Sequence, residues 1–308
     1  MIQRFLDYLA IERKYSPRTV QTYRDDLSEF CAFLGLDLDQ FDPTKVDETD
    51  VKTWVFELAE TRHNAPRSVH QKLSALHSLY RYLLREGIVA RDITRRVILP
   101  KLDKPLPKFF KPSEMKAFEE QSAISLQASD EAHRYEVVRD NLIIEMLYQT
   151  GMRQAELLGL RDTDLDLTEC RVRIFGKRRK ERIVPIGDSL ATQIKEYIAL
   201  RDEEAANHQS PISNNQFFPG LTKNTLYNIV RTRMGEVSTQ QKRSPHVLRH
   251  TFATTMLNNG ADIRTIQTLL GHASLRATQI YTHATFSQIQ EAYQKAHPRA
   301  KRKPKDGN

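Results

Sequence analysis

Apolar side chains in the first third of the chain recur every three or four residues. After Ser16-Pro17, a capping hydroxyl followed by a first-turn proline, Val20, Tyr23, Leu27, Phe30 and Leu34 keep helical spacing as far as Gly35. A shorter helix is predicted over 51–59. A third runs over 66–86, with Val69, Leu73, Leu76, Tyr80 and Leu83 on one face and Gly87 as its stop. The opposite face of that third helix carries Arg67, Lys72, Arg81 and Arg85 among Ser68, Gln71, Ser74 and Ser78. Such a face suits a DNA groove, but polar helix faces are usually just solvated, and the pattern alone favours solvent.

The pattern then breaks. Residues 99–112 hold Pro100, Pro105, Pro107, Pro112 and four lysines, which disfavours helix and predicts a cationic inter-domain linker. Beyond it, helices are expected over 139–149, ended by Gly151, and over 153–160. Residues 170–175 and 182–186 read as two short strands, with Val172 and Ile174 alternating and 176–181 as the turn. Further helices follow over 189–201 and 222–234, from Ser244-Pro245 to Gly260, and from the Asp262 cap to Gly271. Ser274 caps the segment that carries Tyr281. The fold class is therefore mainly α with a small antiparallel β-sheet. The expected organisation is an N-terminal helical domain (1–98), a linker (99–112), a larger domain (113–298) and a basic tail (299–308).

Composition narrows the function class. No apolar run reaches membrane-spanning length, and the first residues, with Arg4 and Asp7, lack a secretory apolar stretch. Two cysteines, Cys31 and Cys170, argue against a disulfide framework and for a reducing, cytoplasmic setting. The net charge of +8 favours a polyanionic partner without proving one. Residues 1–105 carry 17 Lys and Arg against 16 Asp and Glu, whereas 106–308 carry 30 against 23, so the positive excess lies in the second part.

Five patches there carry candidate chemistry. Thr150-Gly151-Met152-Arg153 places Arg153 at a helix N-terminus, where anions are favoured, with Glu156 one turn on to orient it. Gly176-Lys177-Arg178-Arg179-Lys180-Glu181-Arg182 is a strongly basic turn. His246, Arg249 and His250 fall at i, i+3 and i+4 in the first turns of a helix. Two histidines four apart can also bind zinc, but the metalloprotease pattern needs Glu where Val247 stands, so a phosphate cradle fits better. His272 follows Leu270-Gly271, and Tyr281 lies nine residues later. Singly, each has an ordinary explanation: an ion pair, a solvated turn, a cap, a core tyrosine. Together, two arginines, two histidines, a lysine and a tyrosine can surround one phosphodiester. Arginine forks grip non-bridging oxygens and remain charged. Histidine moves protons near neutrality, and a phenol attacks only once its proton is taken.

In this order and spacing, the patches resemble the tyrosine recombinase (phage integrase) family, most closely its bacterial chromosome-dimer-resolving Xer branch. The resemblance covers nearly the whole chain, including Tyr15-Ser16-Pro17-Arg18-Thr19, and is densest from Thr150 to His283. It implies a core-binding, SAM-like N-terminal domain and a catalytic domain that together clamp duplex DNA. It assigns Tyr281 as nucleophile, Arg153 and Arg249 as phosphate clamp, His246 as proton acceptor, His272 as hydrogen-bond donor to the phosphate and Lys177 as general acid. Glu156 and His250 become supports. The family turn often reads Gly-Lys-Gly-Asn-Lys, whereas here it is Gly-Lys-Arg-Arg-Lys, which leaves Lys180 as an alternative to Lys177. The resemblance implies no cofactor or metal. It implies a double-stranded DNA recombination site and a tetramer on two duplexes, with an identical or paralogous partner recombinase and a DNA translocase as activator. It places the protein in the bacterial cytoplasm at the nucleoid. It also implies a last helix, over about 286–295, that would dock on a neighbouring subunit through Ile289 and Tyr293 and expose that face in a free monomer. The competing readings are a mobile-element integrase, a DNA-relaxing topoisomerase and a non-catalytic DNA-binding protein.

Overall fold

The computed structural model describes residues 1–102, 108–176, 181–207, 216–271 and 283–300. The chain divides into two compact units, Met1–Pro105 and Leu106–Asn308.

The first unit is built from helices α1 (Ile2–Ile11), α2 (Pro17–Phe33), α3 (Glu48–Phe56) and α4 (Pro66–Arg85). The Ser16 hydroxyl accepts the Thr19 N–H at 3.2 Å, the cap its sequence predicts. Asp47 caps α3 in the same way, accepting from Thr49 and Asp50. The α4 stripe of Val69, Leu73, Leu76, Tyr80 and Leu83 is buried against Leu27, Phe30 and Trp54. On the other face of α4, Lys72 is drawn into ion pairs with Asp26 and Glu29, and Arg85 bonds to Glu86 and the Tyr8 hydroxyl. Two of the four cations on that face are therefore engaged within the unit. Leu99 packs on this core, and His70 Nε2 lies 2.8 Å from the Pro100 carbonyl.

In the second unit, the Phe110 side chain is buried and its N–H donates to Thr251 Oγ1 at 2.9 Å. Helix α5 (Pro112–Ala128) follows directly, where the sequence reading had none. Helix α6 (Glu131–Thr150) starts eight residues earlier than its apolar stretch suggests. Asp130 caps it, and Glu131, His133 and Arg134 in its opening turn lie in solvent. Its last ten residues are buried all round, so α6 forms the axis of the core. Helices α7 (Gln154–Leu158), α8 (Asp188–Asn207), α9 (Lys223–Arg233), α10 (Pro245–Asn258), α11 (Ile263–Leu270) and α12 (His283–Ala296) surround it.

A three-stranded antiparallel sheet, β1 (Leu165–Asp166), β2 (Arg171–Phe175) and β3 (Glu181–Pro185), completes the unit in the order β1-β2-β3. Val172 pairs with Val184 and Ile174 with Arg182. Among the described residues no helix is long and apolar enough to cross a membrane.

Helix α12 corrects one expectation. Ile289 and Tyr293 do not face outward for a neighbour; both are buried in their own unit. The Tyr293 hydroxyl donates to the Gln149 carbonyl at 3.1 Å, and its ring stacks on His297 with centroids 5.1 Å apart. Arg299 pairs with Glu145 and donates to the Met115 carbonyl, and Ala300 is buried, so the chain is anchored to this unit as far as its last described residue. An apolar stripe demands cover, and here the same unit supplies it.

Candidate active site

The site begins where α6 ends. Gly151 closes the helix at φ +59°, a conformation that side-chain-bearing residues rarely adopt. A Cβ there would stand 2.5 Å from Phe252 Cδ1 and 2.9 Å from Leu270 Cδ2, so the glycine also lets α10 and α11 approach the backbone. Two residues on, Arg153 is the N-cap of α7. Its N–H donates to Glu156 Oε2 at 2.7 Å and its Nη1 to Glu156 Oε1 at 2.8 Å. The rest of the guanidinium faces outward, with the side chain 45% exposed.

Arg249 reaches the same place from α10. Its Nη1 donates to the Gly151 carbonyl and its Nη2 to the Leu270 carbonyl, each at 2.6 Å. Nη1 also lies 4.0 Å from Glu156 Oε2. His246 and His250 stand one turn apart on α10, with ring centroids 4.5 Å apart and edge to face. Pro245 starts that helix, so its unpaired N–H groups and positive dipole end lie beside the histidines.

One further residue belongs here. Arg182 is an ion-pair partner, not part of a solvated basic turn. It is buried, and it grips Glu156 with two N–H groups at 3.0 and 2.7 Å while its Nε donates to the Leu269 carbonyl at 2.6 Å. The sequence does carry a signal for it. Arg182, Val184 and Ile186 alternate, so Arg182 occupies a core-facing strand position opposite Ile174.

Electrostatically, one carboxylate serves three guanidinium groups. Burial pushes the Glu156 carboxyl up, but hydrogen bonds and charge from Arg182, then bonds from Arg153, outweigh it and hold it at about 2. Burial, reinforced by the charges of Arg153 and Arg182, depresses Arg249 to about 10, still protonated at neutral pH. Burial, then the neighbouring His250, Arg249, Lys242 and Arg153 charges, lowers His246; burial, Arg249 and Lys242 lower His250. Both rings are therefore neutral at pH 7, and a neutral imidazole can accept a proton. The cluster keeps an excess of positive charge around one carboxylate, which is the electrostatic requirement for holding an anion. Among the described residues no group of three or more His, Cys, Asp or Glu is placed to hold a metal ion.

Of the residues singled out in the sequence, Arg153, Glu156, His246, Arg249 and His250 come together. Lys177, His272 and Tyr281 lie outside the described residues. The described chain next to the first two is at the cluster: β3, which follows Lys177 in sequence, brings in Arg182, and the last α11 carbonyls, just before His272, accept from Arg182 and Arg249.

Residues 116–288 match the phage integrase family, and residues 2–87 match the phage integrase N-terminal SAM-like domain. The chain belongs to the phage integrase family. It is a site-specific tyrosine recombinase, a DNA strand-exchange enzyme. The tyrosine recombinase XerC of Chlorobaculum parvum is 35% identical to the recombinase, over 97% of this chain and 94% of that one. XerC of Listeria innocua is 39% identical over 97% of each. Among solved structures, XerH bound to its difH substrate in a pre-cleavage complex is 25% identical. That match has a TM-score of 0.66 and covers 92% of the recombinase and 80% of XerH. The Tn1549 transposon integrase bound to transposon right end DNA shares the fold, with a TM-score of 0.62 at 15% identity.

Proposed function

We propose that the recombinase cleaves one strand of duplex DNA at a specific site through Tyr281 and rejoins it to a partner duplex. The observation that carries this reading is the pairing of Arg153 and Arg249 around a single carboxylate, with two neutral histidines beside them. The two guanidinium groups bind the non-bridging oxygens of the scissile phosphate and offset the second negative charge that develops as the nucleophile adds. The Tyr281 oxygen attacks phosphorus while its proton passes to His246. The bond from phosphorus to the 5′ oxygen breaks, and Lys177 gives that oxygen a proton. The products are a 3′-phosphotyrosine and a free 5′-hydroxyl, and His272 donates a hydrogen bond to the phosphate. The covalent link conserves the energy of the broken bond, so the 5′-hydroxyl of the partner duplex reverses the step.

Residues 1–98 serve as the core-binding domain, 99–112 as a linker along the duplex and 113–298 as the catalytic domain. Four subunits act on two DNA sites, with an identical or paralogous partner, and two rounds of exchange give the product. Similarity to XerC along both chains favours resolution of chromosome dimers at cell division, under a DNA translocase and in the bacterial cytoplasm, over a mobile-element role.

The test is a nicked suicide duplex carrying the sequence that the wild-type protein captures covalently from a library of genomic fragments. Wild type should leave a DNA adduct on a denaturing gel. Tyr281→Phe should bind the same duplex and leave none. An undiminished adduct in Tyr281→Phe refutes the nucleophile assignment.

A further inference from the structure

Arg182 is a buried cation without a part in the chemistry above. A strand position facing the core normally takes an apolar side chain, and a buried guanidinium is costly unless fully partnered. Here each of its three nitrogens donates to one of two chain segments that also hold the phosphate clamp. Two N–H groups chelate Glu156, whose oxygens also accept the Arg153 N–H and Nη1. Its Nε binds the Leu269 carbonyl, one residue before the carbonyl that Arg249 binds. The α11 cap at Gly271 (φ +62°) lies against the Arg182 side chain, and a Cβ there would stand 3.2 Å from its Cδ and Nη1.

We infer that Arg182 is a positioning residue for the strand-cleavage step. Resting on the phosphate-clamp reading above, it saturates Glu156 and pins the end of α11, so that Arg153 and Arg249 stay presented to a phosphate.

The physical reason is competition for one anion. Glu156 Oε2 is 4.0 Å from Arg249 Nη1, at the outer limit of ion pairing and longer than a hydrogen bond. With Arg182 in place, four N–H donors already occupy the two carboxylate oxygens. Without it, Glu156 has two vacant lone-pair directions and a stronger claim on its remaining neighbours. Arg153 and Arg249 then close on the carboxylate, and the anion they should grip is replaced by one from the protein. The Leu269 carbonyl also loses its donor, which loosens the segment leading to His272. Arg182 thus ties together three parts of the chain: β3, the N-terminus of α7 and the end of α11. It acts on the reaction through Glu156 and never touches the DNA.

The test uses the full chain and the nicked suicide duplex described above, in single turnover with enzyme in excess. Arg182→Met removes the charge. Arg182→Lys keeps the charge but cannot chelate both oxygens and reach Leu269 together, and it serves if the Met variant folds poorly. The rate constant for adduct formation by the folded fraction should fall ten-fold or more in the Met variant and by less in the Lys variant, while duplex affinity stays within about three-fold. The double variant Arg182→Met/Glu156→Gln should be no slower than about three-fold relative to Arg182→Met, because the two residues act as one unit. A purely structural role would lower the fraction of active protein and leave the rate constant of the remainder at the wild-type value, and that outcome overturns the inference. So do losses that multiply in the double variant. Arg249→Ala and Tyr281→Phe serve as controls. If either cleaves normally, the clamp or nucleophile reading is at fault, whereas if both are dead and Arg182 variants keep the wild-type rate constant, only the role of Arg182 is lost.

Discussion

Replacing Glu156 by Gln should destabilise the second unit by about 3–5 kcal/mol at pH 7, the cost of removing one partner from a buried ion pair. The structure supplies the reasoning. Each carboxylate oxygen accepts two N–H groups: Oε1 from Arg153 Nη1 and Arg182 Nη1, Oε2 from the Arg153 N–H and Arg182 Nη2. An amide keeps one oxygen and turns the other into a donor. In either orientation two N–H groups then face an NH₂, and three guanidinium groups lose their counter-charge. A second route gives the same size. The Glu156 carboxyl is held at about 2 against an ordinary 4.5, and at about 1.4 kcal/mol per pH unit that difference amounts to about 3 kcal/mol. The side chain is only 4% exposed, so solvent screening takes little from it.

The sign follows from linkage. A carboxyl depressed in the fold adds stability above its unfolded value, and that contribution is lost as pH falls from about 4.5 towards 2. The variant should therefore lie well below wild type at pH 7 and converge on it near pH 2–3. Urea unfolding followed by far-UV circular dichroism measures this. The single tryptophan, Trp54, is buried in the first unit, so its fluorescence follows that unit separately. A Glu156→Gln protein within 1 kcal/mol of wild type at pH 7 would refute the argument.

Three further outcomes are expected. Burial pushes His297 down to about 4 among Tyr148, Phe252 and Tyr293, so stability should fall by about 3 kcal/mol as pH drops from 6.5 to 4, and His297→Gln should flatten that slope in thermal melts at stepped pH. Gly151→Ala should cost about 2–4 kcal/mol, from a left-handed backbone plus the Phe252 contact, and a variant melting with wild type would contradict the packing described at the end of α6. In the pH profile of kcat/KM, the acid limb should fall below pH 6.5, since His246 is depressed in the free enzyme, and His246→Ala should remove it; a limb above pH 7 would contradict its role as proton acceptor.

Much of this molecule is legible in its sequence, and the exceptions have physical causes. The α2 and α4 stripes, the Ser16 and Asp262 caps and the β2–β3 pair follow from spacing and local chemistry. Helix α5 gives no signal in the sequence, because only Met115 and Phe118 of its 17 residues are buried, too few to show a period. The opening of α6 is solvent-exposed and equally silent. Helix α1 is equally legible, since Ile2, Phe5, Leu6 and Leu9 keep helical spacing. In α12, Ile289 and Tyr293 mark a face that must be covered, but a stripe does not say by what, and the cover is α6 and His297 of the same unit.

The site was legible as residues but not as a network. Spacing shows that Glu156 can reach Arg153, three positions away, and that His246 and His250 share a face of α10. It does not show that a strand residue 26 positions further on shares the Glu156 carboxylate, because that contact exists only once β3 is folded against α7 and α11. In the sequence, Arg182 closes a run of basic residues that hides the alternation turning it inward.

The central claim is that this cluster serves a phosphodiester attacked by Tyr281. Its most direct test is to trap wild-type protein on the nicked suicide duplex, digest both components, and locate the nucleotide by tandem mass spectrometry. The account predicts one modified peptide, with a 3′-nucleotide phosphate on Tyr281. A nucleotide on another residue, such as the exposed Tyr227, or an adduct that forms equally well in Arg249→Ala, would contradict it.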